Sequence, residues 1–201
     1  MSKRLYVAYG SNLNIQQMAS RCPGAKLYGT GVIENFELQF KGQPHGAFAT
    51  IAPKDGASVP VAVWEISKRN EQALDRYEGY PSHYFKQDVP VQLDSKEVTA
   101  MVYVMNLKMD FGLPAPYYYD VVREGYEDCG LDPAALEQAL RESTAQFYGS
   151  HWPHQESIFR FESDAEPDED ELEEDDDPDL DEDEPELDET DPFYFSEGMH
   201  L

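Results

Sequence analysis

The sequence predicts an α+β fold, in which a curved or closed mixed sheet is surrounded by helices, followed by a disordered acidic tail. Two observations lead to this prediction. Strand-like segments outnumber helical segments and rarely alternate with them. The charge is also divided unevenly: residues 1–160 carry 15 basic and 19 acidic residues, a net charge of −4, whereas residues 161–201 carry 22 acidic residues and no Lys or Arg.

The N-terminal part is expected to form a buried strand and then a helix. The segment Arg4–Tyr9 is apolar and ends at Gly10-Ser11-Asn12, which are residues suited to a turn. Apolar side chains at helical spacing follow, and Asn12 or Asn14 can cap the start of this helix. Pro23-Gly24 ends it.

Residues 26–105 mostly show the turn-bounded pattern of strands, interrupted by one helix. The predicted strands are Lys26–Thr30, Val32–Phe40, Ala47–Ile51, Val59–Ile66, Tyr84–Leu93 and Glu97–Met105. The helix runs from about Lys68 to Tyr77, with Ser67 as its cap and Gly79 just past its end. Two more helices are expected, at about Tyr117–Cys129 and from Asp132-Pro133 onward.

Composition divides the chain into a folded domain, residues 1–160, and an acidic low-complexity tail, residues 161–201. A segment made mostly of Asp, Glu and Pro cannot bury enough apolar surface to offset its ordering entropy, so we expect this tail to be disordered. Nucleic acid is an unfavourable partner for a near-neutral domain with an acidic tail. A basic protein is the partner class that suits the tail.

Membrane, export and metal-binding signals are all missing from the sequence. No stretch approaches ~20 consecutive apolar residues, and the N-terminus lacks a signal-peptide core, so we expect a cytoplasmic protein that does not associate with membranes. Cys22 and Cys129 are expected to be packed thiols. The five histidines form no cluster with metal-ligand spacing, and we predict no metal site.

The first candidate for chemistry is the segment Tyr9-Gly10-Ser11-Asn12-Leu13, between a predicted strand and a predicted helix. Backbone N–H groups of such a loop, aided by the positive end of a helix dipole, can hold a carboxylate or orient a carbonyl oxygen. Gly10 would permit close approach, and Ser11 and Asn12 add side-chain hydrogen bonds. A plain strand-to-helix turn explains the same residues, because Gly, Ser and Asn are common in turns.

The second candidate is Glu78, which falls in the last turn of a predicted helix. The partial negative charge at a helix C-terminus disfavours a carboxylate, so the pKa of Glu78 should be raised, more so beside Tyr77, Tyr80 and Tyr84. A carboxylate of this kind is a useful base near neutral pH. The alternative is a solvated glutamate that tolerates the small electrostatic cost of a carboxylate at the helix C-terminus. Asp75, one turn earlier, is expected to be structural.

Together these stretches resemble the γ-glutamylcyclotransferase-like family, also known through its plant AIG2-like members. The resemblance covers about residues 3–145, in family order, and leaves the acidic tail outside. It rests on Tyr9-Gly10-Ser11-Asn12-Leu13, the Trp64-containing strand, Leu74-Asp75 before Glu78-Gly79, and Pro114 through Tyr118 to Gly125-Tyr126.

The resemblance implies a small mixed β-barrel with flanking helices, and an enzyme that cleaves a γ-glutamyl amine or amide without water. The substrate's own α-amine attacks its γ-carbonyl, closes 5-oxoproline and expels an amine or amino acid. Glu78 matches the family glutamate that takes a proton from the α-amine and can return it to the leaving nitrogen. No cofactor is required. The substrate-binding residues implied are Tyr6, Tyr9, Gly10, Ser11, Asn12, Leu13, Tyr84 and Tyr118.

Residue chemistry agrees with this assignment, because an α-amine is mostly protonated at pH 7 and must lose a proton before it attacks. The alternative is a non-catalytic module of the same fold that binds a γ-glutamyl-like or acidic small molecule, while the tail recruits a basic protein. Retention of Glu78 favours the enzyme. The leaving group, and the choice between monomer and homodimer, stay open.

Overall fold

The computed structural model describes residues 3–151, which form a closed five-stranded barrel with helices packed against it. The strands are β1 (Lys3–Ala8), β2 (Lys26–Gln43), β3 (Gly46–Ser67), β4 (Tyr84–Leu93) and β5 (Glu97–Met105). Their order in the sheet is β1-β3-β2-β4-β5. Parallel pairing of β5 with β1 closes the barrel, and the other neighbours are antiparallel. The predicted mixed barrel is confirmed.

Four helices accompany the barrel, as predicted. They are α1 (Ile15–Arg21), α2 (Lys68–Tyr77), α3 (Pro116–Asp128) and α4 (Ala134–His151), and a 3₁₀ turn, Ser11–Leu13, lies between β1 and α1. Side chains fix the starts of two helices. The Asn14 side chain accepts a hydrogen bond from the Gln17 N–H at 2.9 Å, and Ser67 forms a reciprocal capping box with Asn70.

β2 and β3 are longer than the sequence indicates. Pairs of predicted segments merge into single strands, 26–30 with 32–40 and 47–51 with 59–66. Gly31, interpreted as a boundary, lies where β2 pairs with β4, and a Cβ on Gly31 would lie 2.3 Å from the Gln92 carbonyl oxygen. This glycine therefore permits the close approach of β2 and β4 within the barrel. A register shift between Glu34 and Phe36 bends β2 without ending it.

The hydrophobic core joins the barrel to its helices. Its fully buried members include Val7, Leu13, Met18, Ile33, Phe40, Ile51, Leu74, Met101, Val122, Tyr126 and Leu136. Interiors of this kind are close-packed, so the segments anchored on them are held rigidly. Cys22 and Cys129 are free thiols, and burial raises the pKa of each to about 11, which suits packing and not reactivity.

The end of the predicted domain at residue 160 and the disorder of residues 161–201 lie outside the described residues and stay predictions. Within residues 3–151, no helix combines the length and apolar character needed to cross a membrane. The same part of the chain contains no group of three or more His, Cys, Asp or Glu side chains placed to hold a metal ion.

Candidate active site

A small pocket with a cavity volume of about 30 Å³, open to solvent at its mouth, lies between the turn after β1 and the end of α2. Its lining residues are Tyr6, Val7, Tyr9, Gly10, Ser11, Asn12, Ala49, Glu78, Tyr84, Tyr103 and Tyr118. Eight of the nine site residues named from the sequence therefore share one pocket. They come from four elements and two loops, far apart in the chain.

The ninth residue, Leu13, does not line the pocket. Its side chain is fully buried in the core. It packs against Gly125 of α3, where an added Cβ would lie 2.6 Å from the Leu13 Cβ. Leu13 thus anchors the turn to α3, and the sequence motif alone did not show that its side chain faces the core.

Gly10 permits the turn after β1 to pass close to the opposite wall of the pocket. A Cβ on Gly10 would lie 3.2 Å from the Tyr118 hydroxyl oxygen and 3.3 Å from the Ala49 Cβ. The Leu13 N–H donates to the Gly10 carbonyl at 2.9 Å and begins the 3₁₀ turn. Ser11 and Asn12 are then held at the pocket edge, and both are buried.

Glu78 is the residue that ends α2, one position later than the last helical residue. Its N–H donates to the Leu74 carbonyl at 2.8 Å. Gly79 follows in the left-handed region with φ of 64°, and the Tyr80 N–H donates to the Asp75 carbonyl at 2.9 Å. This is a Schellman-type end, for which glycine is the favoured residue. It leaves the Glu78 side chain in the pocket lining.

The Glu78 carboxyl has the properties of a base that works near neutral pH. Burial raises the pKa of Glu78 to about 7, although the Arg21 charge and the Asn12 hydrogen bond oppose the shift. Asn12 Nδ2 donates to Glu78 Oε1 at 3.0 Å. The residue as a whole keeps some solvent exposure while its carboxyl is enclosed. A small molecule in the pocket can therefore reach it.

Neutral hydroxyl groups make up much of the wall around Glu78. Burial raises the pKa of the five lining tyrosines, Tyr6, Tyr9, Tyr84, Tyr103 and Tyr118. Two of them form hydrogen bonds with the backbone of Ala49. The Tyr84 hydroxyl donates to the Ala49 carbonyl at 3.2 Å, and the Tyr118 hydroxyl accepts from the Ala49 N–H at 3.1 Å. The Tyr9 hydroxyl donates to the Tyr103 carbonyl at 2.6 Å. These bonds fix the positions of the rings.

Arg21 and Tyr103 belong to the site but were not named from the sequence. Arg21, the last residue of α1, donates to Ser11 Oγ at 3.1 Å and to Asn12 Oδ1 at 2.7 Å. Tyr103 lines the pocket from β5. A signal for Arg21 existed, since it is the one charged residue of α1. Nothing in the strand pattern distinguishes Tyr103 from its neighbours.

Asp75 supports α2 from outside the pocket. It accepts a hydrogen bond from the Tyr103 hydroxyl at 2.6 Å and forms an ion pair with Lys86 at 2.6 Å, in keeping with the structural role expected from the sequence. Lys86 also pairs with Glu71 at 2.7 Å. These contacts tie α2 to β4 and β5 and so hold the helix whose end carries Glu78.

In this barrel, a carboxyl with a pKa near neutral pH faces a Gly-Ser-Asn turn across the pocket. Such a site is equipped for acid–base chemistry on a small molecule. The family model described as "Gamma-glutamyl cyclotransferase, AIG2-like" matches residues 6–120. Since this match covers more than half of the chain, the chain belongs to that family. The description of this family agrees with the resemblance that the sequence motifs indicated.

Relatives and solved structures agree with the family. The gamma-glutamylcyclotransferase of Bos taurus is 34% identical over 140 residues, which cover 63% of this chain and 72% of the relative. The protein of the same name from Homo sapiens is 32% identical over 146 residues, 68% of this chain and 77% of the relative. A solved structure named "Gamma-glutamyl cyclotransferase" superposes with a TM-score of 0.63 at 31% identity, covering 70% of this chain and 87% of that chain. The protein is therefore an enzyme of the γ-glutamylcyclotransferase type.

Proposed function

We propose that this enzyme releases 5-oxoproline and a free amine or amino acid from a γ-glutamyl substrate, without water. The observation that carries the proposal is the Glu78 carboxyl, whose pKa of about 7 fits proton transfer and which bonds Asn12 of the opposing turn. In the reaction, the bond from the α-nitrogen to the γ-carbon forms and the bond from that carbon to the leaving nitrogen breaks. Because the protonated α-amine becomes a lactam N–H, two protons leave the attacking nitrogen, and two reach the leaving nitrogen, which departs as a protonated amine.

Glu78 is the group that transfers the first of these protons. The α-amine of the substrate is mostly protonated at pH 7 and cannot attack until it loses a proton. Ionised Glu78 accepts that proton, and the neutral carboxyl returns it to the leaving nitrogen as the bond breaks. A carboxyl with a pKa near the working pH serves both directions with little cost.

The walls of the pocket hold the substrate in the geometry that the cyclisation needs. The reaction is intramolecular, so most of the acceleration comes from freezing a near-attack conformation, which supplies up to ~7–11 kcal/mol in well-oriented systems. The Tyr6 hydroxyl accepts from Asn12 Nδ2 at 2.8 Å, which leaves its own proton for a bound ligand. Tyr84 and Tyr118 bound the pocket on the side of Ala49.

The turn after β1 is the part of the site that suits a negatively charged group. Its first internal bonds run from the Leu13 and Asn14 N–H groups, so the N–H groups of Ser11 and Asn12 precede them and have no acceptor within the turn. Arg21 adds a positive charge beside the same two residues. We assign to this turn the α-carboxylate of the substrate or the oxyanion formed at its γ-carbon.

A panel of γ-glutamyl compounds tests the proposal and identifies the leaving group. The full-length protein is incubated with a γ-glutamyl amino acid, a γ-glutamyl amine and γ-glutamyl-ε-lysine, with an α-glutamyl dipeptide as the control. Mass spectrometry should find 5-oxoproline and the freed amine in equal amounts from at least one γ-glutamyl compound and from no α-glutamyl compound. Glutamate in place of 5-oxoproline would show hydrolysis and contradict the proposal.

The sequence supports further proposals about the setting of this enzyme. We place it in the cytoplasm, and we propose that residues 161–201 form a separate acidic segment that recruits a basic protein, because 22 acidic residues there have no basic counterpart. A pull-down with and without that segment, at increasing salt, tests the partner. Light scattering decides between monomer and homodimer.

A further inference from the structure

Arg21 lies where α1, the turn after β1 and the end of α2 meet. Within residues 3–151 its guanidinium forms no ion pair with a carboxylate, although it is only partly exposed. All its hydrogen-bond acceptors in this part of the chain are neutral. Its contacts are Ser11 Oγ at 3.1 Å, Asn12 Oδ1 at 2.7 Å, Gln17 Oε1 at 2.6 Å, and the Tyr77 ring at 3.8 Å from the centroid.

The bond from Arg21 determines which way the Asn12 amide faces. A guanidinium can only donate, so the 2.7 Å contact requires the carbonyl oxygen of Asn12 on the Arg21 side. The amide nitrogen is then directed to the other side, where it donates to the Tyr6 hydroxyl at 2.8 Å and to Glu78 Oε1 at 3.0 Å. With the amide reversed, two donors would oppose each other at Arg21 and two acceptors would oppose each other at Glu78.

Stacking on Tyr77 connects Arg21 to the end of α2. The guanidinium lies over the ring at 3.8 Å, a distance at which cation–π attraction is favourable. Tyr77 immediately precedes Glu78, and its hydroxyl lies 3.3 Å from Ser11 Oγ. One side chain therefore holds the turn and the end of the helix in a fixed relation, and these are the segments that carry Asn12 and Glu78.

The charge of Arg21 acts on Glu78 as well. An opposite charge favours the ionised carboxyl, and it lowers the pKa of Glu78 against the larger effect of burial. The other titratable groups that face this region are Tyr6 and Tyr9 of β1 and its turn, Tyr77 and Asp75 of α2, Tyr84 of β4, Tyr103 of β5, and Tyr118 of α3. Asp75 is paired with Lys86, and burial raises the pKa of the five lining tyrosines, which keeps them neutral.

We propose that Arg21 is a positioning residue of the active site, which turns the Asn12 amide toward the Glu78 carboxyl and places a positive charge beside it. Its kinetic consequences rest on the proposed function. Its effect on Glu78 in the resting protein does not depend on turnover.

Two substitutions separate orientation from charge. Arg21→Met removes both the donors and the charge. Arg21→Lys keeps the charge but not the planar fork, whose Nη1 bonds Ser11 and Asn12 while its Nη2 bonds Gln17. Arg76→Met is the matched control, because Arg76 is exposed on α2 and its loss removes an equal charge two positions from Glu78. Each full-length variant is examined by the pH dependence of kcat/KM and by a ¹³C NMR titration of the Glu78 carboxyl, assigned with Glu78→Gln.

In Arg21→Met, the acid limb of kcat/KM and the Glu78 titration should both move to higher pH, by about one unit. At pH values above both limbs, kcat should still be roughly tenfold to a hundredfold lower, because the Asn12 amide is no longer held. Arg21→Lys should titrate nearly as the wild type does and keep the kcat defect. Arg76→Met should match the wild type in both measurements.

A Glu78 titration in Arg21→Met that coincides with that of the wild type would overturn the role of the charge. A wild-type kcat in Arg21→Lys would overturn the role in orientation, and this variant decides the matter if Arg21→Met fails to fold. If the wild type releases no 5-oxoproline, the proposed function fails, while the NMR titration still tests the relation between Arg21 and Glu78.

Discussion

Asn12 and Glu78 are 66 positions apart in the chain, and a hydrogen bond of 3.0 Å joins Asn12 Nδ2 to Glu78 Oε1. The register of the barrel brings them together. Lys3 at the start of β1 pairs with Ser67, after which α2 begins at once. A ten-residue helix spans about 15 Å and a six-residue strand about 20 Å. A helix that returns alongside β1 therefore ends near the turn that follows that strand.

The pH dependence of turnover should report the Glu78 carboxyl. The ionised form must accept a proton from the substrate, and the pKa of Glu78 is raised to about 7. We expect kcat/KM to decrease about tenfold per pH unit below about pH 7. Steady-state kinetics between pH 5 and pH 9 provide the measurement. A profile that is flat from pH 5 to pH 8 would be incompatible with Glu78 as the base.

The same carboxyl should lower the stability of the protein at high pH. Because the pKa of Glu78 is higher in the folded state, at about 7 against 4.5, the folded state binds the proton more tightly. The stabilisation is full below about pH 4.5 and is lost as the pH rises through about 7. Glu78→Gln avoids the loss, so its free energy of unfolding should exceed that of the wild type above pH 7 by up to about 3 kcal/mol.

Urea unfolding at pH 8 and pH 5 checks this prediction. The gain in Glu78→Gln should be large at pH 8 and small at pH 5. Glu34→Gln is the control for the loss of one acidic side chain, because Glu34 is exposed on β2. Equal gains at both pH values, or a loss at pH 8, would count against a buried carboxyl at position 78.

The contact between α3 and the turn after β1 should be sensitive to a single added methyl group. A Cβ on Gly125 would lie 2.6 Å from the Asn14 backbone nitrogen and 2.6 Å from the Leu13 Cβ. Because one of these atoms belongs to the backbone, Gly125→Ala must displace the turn, and we expect a loss of about 1–3 kcal/mol in the free energy of unfolding. Turnover should fall as well, since the turn carries Asn12.

Gly149→Ala is the matched control for that substitution. Gly149 lies in α4 with nothing within 4 Å of an added Cβ, so alanine should be neutral or mildly stabilising there. Thermal melting of both variants gives the comparison. Equal melting temperatures for Gly125→Ala and the wild type would show that α3 does not hold the turn.

Deletion of residues 162–201 should leave the melting temperature and turnover nearly unchanged. The described residues, 3–151, belong to one compact unit, and a run of acidic residues makes few packed contacts. Calorimetry and the 5-oxoproline assay on the truncated protein test this expectation. A decrease of many degrees in melting temperature would show that the tail stabilises the barrel.

Local signals were sufficient for the helices but not for the lengths of the strands. Caps such as Ser67 and the glycine after α2 act within a few residues, so the pattern shows them directly. Gly31 was interpreted as a boundary because the reason for its presence, the β4 backbone, is 61 residues away at Gln92. A residue pattern does not reveal a contact at that separation.

The site shows the same division between local and distant information. The turn Gly10-Ser11-Asn12 and the end of α2 at Glu78 were predicted from their own residues and from the resemblance, and the structure brings them into one pocket. Leu13 belongs to the same motif, yet its side chain faces the core. The motif could not show this orientation, because the partner of Leu13, Gly125, is on a distant helix. Arg21 was missed for a similar reason, since its role depends on contacts made only in the folded chain.

Release of 5-oxoproline by Glu78→Gln tests the central claim most directly. Glutamine preserves the shape of the side chain and can still accept the hydrogen bond from Asn12, but it cannot take a proton from the substrate. With circular dichroism and melting behaviour confirming a folded variant, turnover should decrease by about 10²–10⁴-fold. Turnover equal to that of the wild type would show that another group moves the proton and would contradict the account.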